Sequence, residues 1–282
     1  MTTPAAQARP ELNKDTRLCI SLAARPSNHG TRFHNRLYDE LGLDFLYKAM
    51  TTDDIDAAIA GVRALGIRGC SVSMPWKEAV IPLIDELMPS AAAIQSVNTI
   101  VNDDGVLSAY NTDYLAIEQL IRTHDLDRDQ PVLLRGSGGM ARAVAAAFRD
   151  AGFAGTVAAR NPVAGQGLAS VLEWRWAESP EGLSAPIIVN VTPIGMAGGA
   201  DAGEQAFSDE QVSQASVVFD VVAMPVETPL IRAARAGEKR VVTGGEVIAL
   251  QAAAQFALYT GVTPSSEQVA AAEEYASGAR GR

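Results

Sequence analysis

The sequence contains few of the residues that build metal centres or disulfide frameworks. Only two cysteines and three histidines occur in 282 residues, and their spacing does not match that of zinc ligands. Cys19 and Cys70 each lie in an apolar stretch, which favours free buried thiols over a single disulfide. No metal site is predicted.

Long apolar runs and an excess of basic charge are also missing. No apolar run approaches the ~18 residues of a membrane span, and the N-terminus lacks the apolar core of a signal peptide. Lys and Arg number 23 against 33 Asp and Glu, and the resulting net charge of −10 would repel a nucleic-acid backbone. We therefore expect a cytoplasmic protein that binds a small molecule and neither membranes nor nucleic acids. The oligomeric state stays open.

The length and the hydrophobic composition suit a protein with two hydrophobic cores. At about 150 residues per domain, the length predicts about two domains. Hydrophobic residues make up 48% of the chain and aromatic residues only 6%, so the cores should consist mainly of Ala, Val, Leu and Ile. An anionic ligand would need a locally basic pocket in this acidic protein.

Short apolar runs alternate with helical patterns, which predicts a parallel or mixed sheet covered by helices. The predicted strands are Leu18–Leu22, Phe45–Ala49, Gly69–Ser73, Val97–Val101, Val106–Tyr110, Val132–Leu134, Gly155–Ala159, Ile187–Val191 and Val217–Val221. The predicted helices are Asp53–Leu65, one that begins over Leu115–Arg122, Ala141–Asp150, and one from Glu246 to Leu258. NDDG at 102–105 predicts a hairpin between its flanking strands.

Residues 136–141, GSGGMA, fit the dinucleotide-binding pattern G-x-G-x-x-A. They follow a predicted strand and open a predicted helix, which is the context that the pattern needs. Glycines let the backbone approach a pyrophosphate, and a helix N-terminus directs amide groups at it. Nucleotide binding is therefore predicted; the alternative is a glycine turn that only packs helix on strand. The candidate residues are Gly136, Ser137, Gly138, Gly139, Met140 and Ala141.

The ends of two later strands bear on which nucleotide is bound. An NAD-binding domain usually has an acidic residue at the end of its second strand, whereas this chain has Arg160, which suits the 2′-phosphate of NADP. NADP is predicted and NAD remains an alternative, because an exposed arginine at a strand end would look the same. Thr192, in NVTPIGM, also follows a strand, where ligands of open α/β sheets bind, so it is expected near the nicotinamide.

Three polar clusters follow or precede strands in the first half: SVSMPWK at 71–77, SVNTI at 96–100 and YNTDY at 110–114. A lysine can relay a proton when partial desolvation lowers its pKa, and a nearby carboxylate would hold it in place. Asn and Thr can hydrogen-bond substrate hydroxyls. These residue types suit alcohol oxidation, although a lone lysine after a proline is more often a solvated surface residue.

Together the motifs resemble those of the shikimate dehydrogenase family, in the family's order from about Leu18 to Thr260. They are LYKA (46–49), SVSMPWK, SVNT, NTD, GSGGMAR, NVTPIGM, DVVAMPVETPL (220–230) and GGEVIALQAAAQF (244–256). The resemblance implies an α/β fold with a discontinuous α/β substrate domain, 1–113 plus 245–282, and an inserted Rossmann-type NADP-binding domain, 114–244. It also implies NADP-dependent interconversion of shikimate and 3-dehydroshikimate, a step of aromatic amino acid biosynthesis.

The resemblance also assigns roles to individual residues. Lys77 corresponds to the family's catalytic lysine and Asp113 to its carboxylate partner. Substrate contacts are expected from Asn28, Ser73, Asn98 and Gln251. Cofactor contacts are expected from the glycine loop, Arg160, Thr192 and Val222.

Three departures from the family pattern point to a divergent branch. The Ser-x-Ser that binds the substrate carboxylate is replaced by Asn28-His29-Gly30, which removes both hydroxyls. Ala223 stands where the family usually has tyrosine, and NPVAGQG after Arg160 lacks the usual second basic residue. The carboxylate end of the pocket is therefore expected to differ from that of the biosynthetic enzyme.

These departures leave two alternatives to a shikimate dehydrogenase. Quinate or another cyclic hydroxy acid is the alternative substrate, because the lost serines would reshape the carboxylate pocket. A catalytically weak NADP-binding regulatory protein is the alternative from another class. Retention of Lys77, Asp113, Asn98 and Gln251 argues against that alternative, since a pure binder has no need for them.

Overall fold

The computed structural model describes residues 9–278. The strands are β1 (Arg17–Leu22), β2 (Phe45–Met50), β3 (Gly69–Val72), β4 (Glu86–Leu87), β5 (Thr99–Asp103), β6 (Val106–Tyr110), β7 (Val132–Arg135), β8 (Gly155–Ala158), β9 (Arg175–Ala177), β10 (Ile187–Asn190), β11 (Val217–Asp220) and β12 (Arg240–Thr243). The helices are α1 (His29–Leu41), α2 (Ile55–Ala64), α3 (Pro89–Ala92), α4 (Thr112–Thr123), α5 (Gly139–Asp150), α6 (Pro162–Leu172), α7 (Asp209–Gln214), α8 (Pro229–Ala236), α9 (Gly244–Thr260) and α10 (Ser266–Gly278).

The described chain divides into two compact units. The first consists of 9–112 and 251–278, and the second of 113–250. The boundaries between them therefore fall within α4 and α9. The domains expected from the sequence were defined by substrate and cofactor, and that functional assignment stays a prediction.

The sheet of the first unit has the strand order β2-β1-β3-β5-β6-β4. The strand β1 runs parallel to β2 and β3, whereas β5 is antiparallel to both β3 and β6. The predicted hairpin joins β5 to β6, and its turn residues Asp104 and Gly105 have φ values of 52° and 93°. Because β3 and β5 run in opposite directions, the segment after β3 lies beside the residues before β5.

The sheet of the second unit has six parallel strands in the order β12-β11-β10-β7-β8-β9. Counted within this unit, that is the 3-2-1-4-5-6 order of a doubly wound nucleotide-binding sheet. The glycine loop joins the first of these strands, β7, to α5. The predicted α/β fold class, with a Rossmann-type domain, is confirmed.

Small and branched aliphatic side chains form the cores, as the composition predicts. In the second unit, Val132 and Leu134 pack on the side of the sheet that α5 covers, and Leu133 packs on the opposite side. Both cysteines are free and buried, as expected. Among the described residues, no helix is long and apolar enough to cross a membrane.

Candidate active site

The glycine loop of the second unit is shaped by one tight glycine and two open ones. Gly136 has a φ of +125°, and a Cβ there would lie 2.9 Å from Val191 Cγ2 and 3.0 Å from Val191 O. Gly138 precedes α5 without a side-chain cap, and a Cβ on Gly138 or Gly139 would meet no heavy atom within 4 Å. Open space thus faces the uncapped amides of a helix, an arrangement that binds phosphate.

A cavity of about 1100 Å³ lies beside this loop, within the second unit. Several predicted cofactor residues line it together, namely Gly136, Ser137, Gly138, Arg160 and Thr192. The other predicted cofactor residues, Gly139, Met140, Ala141 and Val222, are not among its described walls. Ala141 and Val222 are buried at 0% and 2% exposure, so their side chains pack helix and loop against the sheet.

Two guanidinium groups line the same cavity. Arg160 is exposed and makes no ion pair with the described residues. Arg135, the last residue of β7, donates a hydrogen bond to Ala206 O. Burial, and next the charge of Arg160, lower the pKa of Arg135, so the two cations act on each other. Three carboxylates also line the cavity: Glu178, Glu181 and Asp201.

Arg135 is a candidate functional residue that was not predicted from the sequence. The signal for it was an arginine at the last position of a strand that otherwise reads VLL. It is a second basic residue in the cavity that Arg160 lines. The sequence could not show this, because Arg135 comes from a neighbouring strand.

A buried network ties together the ends of β10 and β11. Asn190 Oδ1 accepts hydrogen bonds from Thr192 N at 3.0 Å and Thr192 Oγ1 at 2.6 Å, and Asn190 Nδ2 donates to Asp220 Oδ1 at 2.9 Å. Asp220 also accepts from Thr228 Oγ1 at 2.7 Å and Val222 N at 3.1 Å. Burial raises the pKa of Asp220, although these donors oppose the shift. The network fixes the loops that carry Thr192 and Val222.

In the first unit, backbone hydrogen bonds hold the Lys77 segment beside Asn98. Val97 N donates to Lys77 O at 2.8 Å, and Val72 N donates to Asn98 O at 2.9 Å. Ser73 is exposed, Lys77 is half-buried and the side chain of Asn98 is buried. The predicted substrate residues of these two segments are therefore brought together by the antiparallel pairing of β3 and β5.

Asn98 lies at the centre of a buried polar network in the first unit. Its Oδ1 accepts hydrogen bonds from Thr112 N at 2.8 Å, Thr112 Oγ1 at 3.1 Å and Thr99 Oγ1 at 2.9 Å. Gln251 Nε2 donates to Thr112 Oγ1 at 3.1 Å, and Gln255 Nε2 donates to Thr99 Oγ1 at 2.8 Å. The two glutamines lie one turn apart on α9. The network thus links two predicted substrate residues, Asn98 and Gln251.

His34, on α1, forms the buried end of this network. Its Nε2 lies 3.2 Å from Gln255 Oε1, and its ring stacks on Tyr47 with 4.3 Å between ring centroids. Burial lowers the pKa of His34 to about 3, so its imidazole is neutral. No role for His34, Thr99, Thr112 or Gln255 was predicted from the sequence. The signals were the threonines of SVNT and NTD and the spacing of the two glutamines on one helix.

The remaining two predicted site residues lie at helix starts. Asn28 is the exposed N-cap of α1 and makes no side-chain capping bond. Next to it, His29 Nε2 pairs with Glu273 Oε2 at 3.1 Å. Asp113 lies in the first turn of α4, where a carboxylate also interacts favourably with the helix dipole. Where the family has Ser-x-Ser, this chain therefore has a helix start whose imidazole is bound to α10.

Three comparisons place these observations among known proteins. Residues 27–100 match the family described as the shikimate dehydrogenase substrate binding domain. A shikimate dehydrogenase-like protein of Haemophilus influenzae is 56% identical over 266 residues, which cover 94% of this chain and 98% of that protein.

Two solved structures share the fold along most of the chain. Shikimate 5-dehydrogenase from Thermus thermophilus, in complex with NADP(H) and shikimate, is 29% identical with a TM-score of 0.80, covering 92% of this chain and 99% of that one. Quinate dehydrogenase from Corynebacterium glutamicum, in complex with NAD, is 26% identical with a TM-score of 0.82, covering 92% and 98%. The resemblance read from the motifs is confirmed: the chain belongs to the shikimate dehydrogenase family.

Proposed function

We propose that the protein is an NADP-dependent oxidoreductase that interconverts shikimate and 3-dehydroshikimate. The observation that carries this proposal is that backbone hydrogen bonds hold the Lys77 segment beside Asn98, whose side chain lies at the centre of the polar network. Asn98 Nδ2 and Gln251 Oε1 make no hydrogen bond to the described residues, so both are available to the hydroxyl groups of a ring acid. The Thermus relative, which binds NADP(H) and shikimate, supports this choice.

The proposed chemistry needs a group that exchanges a proton with the reacting hydroxyl. Lys77 is assigned this role, and Asp113 is assigned the role of holding its ammonium in place. The Asn98 amide and the Gln251 carbonyl orient the ring through its hydroxyls, and Ser73 adds a hydroxyl beside them. Asn28 is assigned as a side-chain donor at the proposed carboxylate end.

The cavity of the second unit fits a dinucleotide phosphate. A side chain on Gly138 or Gly139 would fill the space in front of the α5 amides, which we assign to the pyrophosphate. Arg160 and Arg135 are assigned to the 2′-phosphate. When bound, NADP accepts or donates the hydride. Because three carboxylates line the same cavity, selectivity for NADP over NAD should depend on both arginines.

The proposal is tested by measuring turnover of shikimate and quinate with NADP⁺ and with NAD⁺, followed by the absorbance of the reduced cofactor. Shikimate with NADP⁺ should give the highest kcat/KM. A higher value for quinate would favour the alternative substrate, which the loss of Ser-x-Ser at 28–30 and the likeness to quinate dehydrogenase both support. Tight NADP⁺ binding without turnover of any ring acid would instead support a regulatory protein.

Replacement of the proposed proton-transfer group gives a second test. Lys77→Ala should lower kcat by about 100-fold or more with a smaller change in KM, because proton transfer matters most in the transition state. Lys14→Ala, at an exposed lysine paired with Asp15, is the matched control and should behave as wild type. Normal turnover by Lys77→Ala would rule out the assigned role.

A further inference from the structure

The short hydrogen bonds of the polar network around Asn98 fix its orientation. The backbone N–H of Thr112 lies 2.8 Å from Asn98 Oδ1, and a backbone N–H can only donate. The side-chain oxygen of Asn98, and not its nitrogen, must therefore face Thr112. This one bond fixes the orientation of the whole amide.

The fixed amide of Asn98 sets the direction of the bonds next to it. The hydroxyls of Thr99 and Thr112 lie 2.9 and 3.1 Å from the same Oδ1, closer than the 3.5 Å that separates the two hydroxyls, so both donate to it. Each hydroxyl has a single proton and must therefore accept from its other neighbour. Those neighbours are Gln255 Nε2 for Thr99 and Gln251 Nε2 for Thr112. Both glutamine amides are thereby oriented as well.

His34 makes the opposite direction of these hydrogen bonds unfavourable. The Oε1 of Gln255 faces His34 Nε2, which must donate, so the neutral imidazole carries its proton on Nε2. The ring is 1% exposed, and its Nδ1 has no hydrogen-bond partner among the described residues. A flipped Gln255 amide would require the other tautomer, which would bury an N–H at Nδ1 with no acceptor.

The network leaves one hydrogen-bond donor group and one hydrogen-bond acceptor for a ligand. Asn98 is left with the two N–H donors of Nδ2, because its oxygen is already bound by three donors. Gln251 is left with the acceptor Oε1, because its nitrogen donates to Thr112. Neither end bonds to another described residue.

We propose that Gln255 is a positioning residue: through Thr99 it holds the site so that Asn98 presents N–H donors and Gln251 presents a carbonyl acceptor. The inference rests on the proposed function and names how that site selects its substrate class, a ring acid with more than one hydroxyl group. The ligand oxygen at Asn98 must accept a hydrogen bond, and the ligand hydroxyl at Gln251 must donate one.

Variants that keep volume but remove the relay test this proposal. Gln255→Met removes both hydrogen bonds of Gln255, and Thr99→Val removes the hydroxyl between Gln255 and Asn98. Each should raise the KM for shikimate about tenfold with kcat changed by less than about twofold, because the oriented amide binds ground state and transition state alike. Thr99→Ser restores the hydroxyl and should restore KM.

The matched control is Gln211→Met in the second unit. Gln211 is also a buried glutamine, 8% exposed, and its Nε2 donates to Pro180 O at 2.7 Å and Leu183 O at 2.8 Å. Its replacement should cost stability and leave the KM for shikimate unchanged. A Gln255→Met variant with wild-type KM, or a Gln211→Met variant with the same rise in KM, would overturn the proposal.

The nitrogen chemical shifts of the His34 ring provide a readout that does not need turnover. The wild-type protein should show a neutral ring protonated on Nε2, and Gln255→Met should weaken this preference. A ring protonated on Nδ1 in the wild-type protein would overturn the inference. Absence of shikimate turnover in the wild-type protein would contradict the proposed function alone, and the ring spectrum would still decide the orientation of the network.

Discussion

At the scale of single residues, burial decides the protonation state of His34. Its pKa is lowered to about 3 because the ring is desolvated, whereas an unfolded histidine titrates near 6.5. Between these two pKa values only the unfolded chain binds the proton. The contribution of His34 to the free energy of unfolding is therefore fully present above about pH 6.5 and is lost as the pH falls toward 3.

This linkage predicts a measurable pH dependence of stability. Replacement by glutamine keeps a donor for Gln255 but removes the titrating group. In denaturant titrations between pH 6 and pH 4, wild type should lose about 1.4 kcal/mol more than His34→Gln for each pH unit, the value for one proton. Parallel stability curves for the two proteins would show that His34 is protonated in the folded state.

Gly136 gives a prediction about cofactor binding. Gly136→Ala places a Cβ against Val191 at a φ of +125°, which L-residues with side chains rarely adopt, so the loop must move. NADP⁺ affinity, measured by calorimetry, should fall at least about tenfold, and stability by about 1 to 3 kcal/mol. The control Gly167→Ala, on α6 with no heavy atom within 4 Å of the new Cβ, should leave affinity unchanged.

The sequence could identify some of these residues and not others. Asn98 and Gln251 belong to motifs whose residue types suggest their chemistry. Gln255 and His34 act only through space, on partners more than 150 positions away in the chain, and no local pattern shows that. Sequence motifs therefore identify the residues proposed to contact the ligand more readily than the residues that orient those contacts.

At the scale of elements, one glycine lets α9 pack closely on β3. A Cβ on Gly69 would lie 2.3 Å from Tyr259 Cδ1, and the ring has no room to withdraw because Tyr259 is 0% exposed. Arg68 Nε also donates to Tyr259 O at 2.9 Å, which fixes this part of the helix against the strand. The close approach keeps Gln251 and Gln255, on the same helix, in register with the sheet.

The packing predicts that one added methyl group lowers the free energy of unfolding, and that a second substitution offsets part of this loss. Gly69→Ala should lower the free energy of unfolding by about 2 to 3 kcal/mol through overpacking. Tyr259→Leu in the same chain should cost less than it does alone, since it makes room for the methyl group. Gly61→Ala on α2, where the new Cβ meets nothing within 4 Å, is the control. Additive effects of Gly69→Ala and Tyr259→Leu would contradict this account.

Strands could be predicted from the sequence where an apolar run or a turn motif was long enough to be recognised. The hairpin of β5 and β6 was predicted from NDDG, because its turn chemistry is local. The strands β4, β9 and β12 were not predicted. They have two, three and four residues, and pairing with a neighbouring strand, rather than their own pattern, defines them.

At the scale of the whole molecule, two cations that suit an anion share one cavity although the net charge of the chain is negative. The chain carries a net charge of −10, yet Arg135 and Arg160 line one cavity of the second unit. The sequence predicted the need for a local basic pocket, but not its second arginine. The charge composition of the sequence thus disfavoured nucleic acid as a ligand and required a local basic pocket for any small anion. The order of the strands in the sheet determines which strand ends line the same cavity.

Hydrogen exchange should therefore report ligand binding locally. NADP⁺ alone should slow exchange of the amides in 136–138 and 159–161, which follow β7 and β8, because they line the cavity. Exchange in β1 and β2, in the first unit, should change little. Protection confined to the first unit would contradict the assignment of the cavity to the cofactor, and 5′-AMP, which lacks the 2′-phosphate, serves as the weaker-binding control.

The opposite character of Asn98 and Gln251 has a consequence for reversibility. An N–H donor satisfies a ketone oxygen as well as an alcohol oxygen, so a carbon whose oxygen is held by Asn98 can be oxidised without that oxygen losing its hydrogen bond. A carbonyl acceptor such as Gln251 Oε1 needs a hydroxyl proton and would be left facing a second acceptor if its partner became a ketone. A site of this polarity can serve both directions of a dehydrogenation only if the oxidised carbon lies away from Gln251.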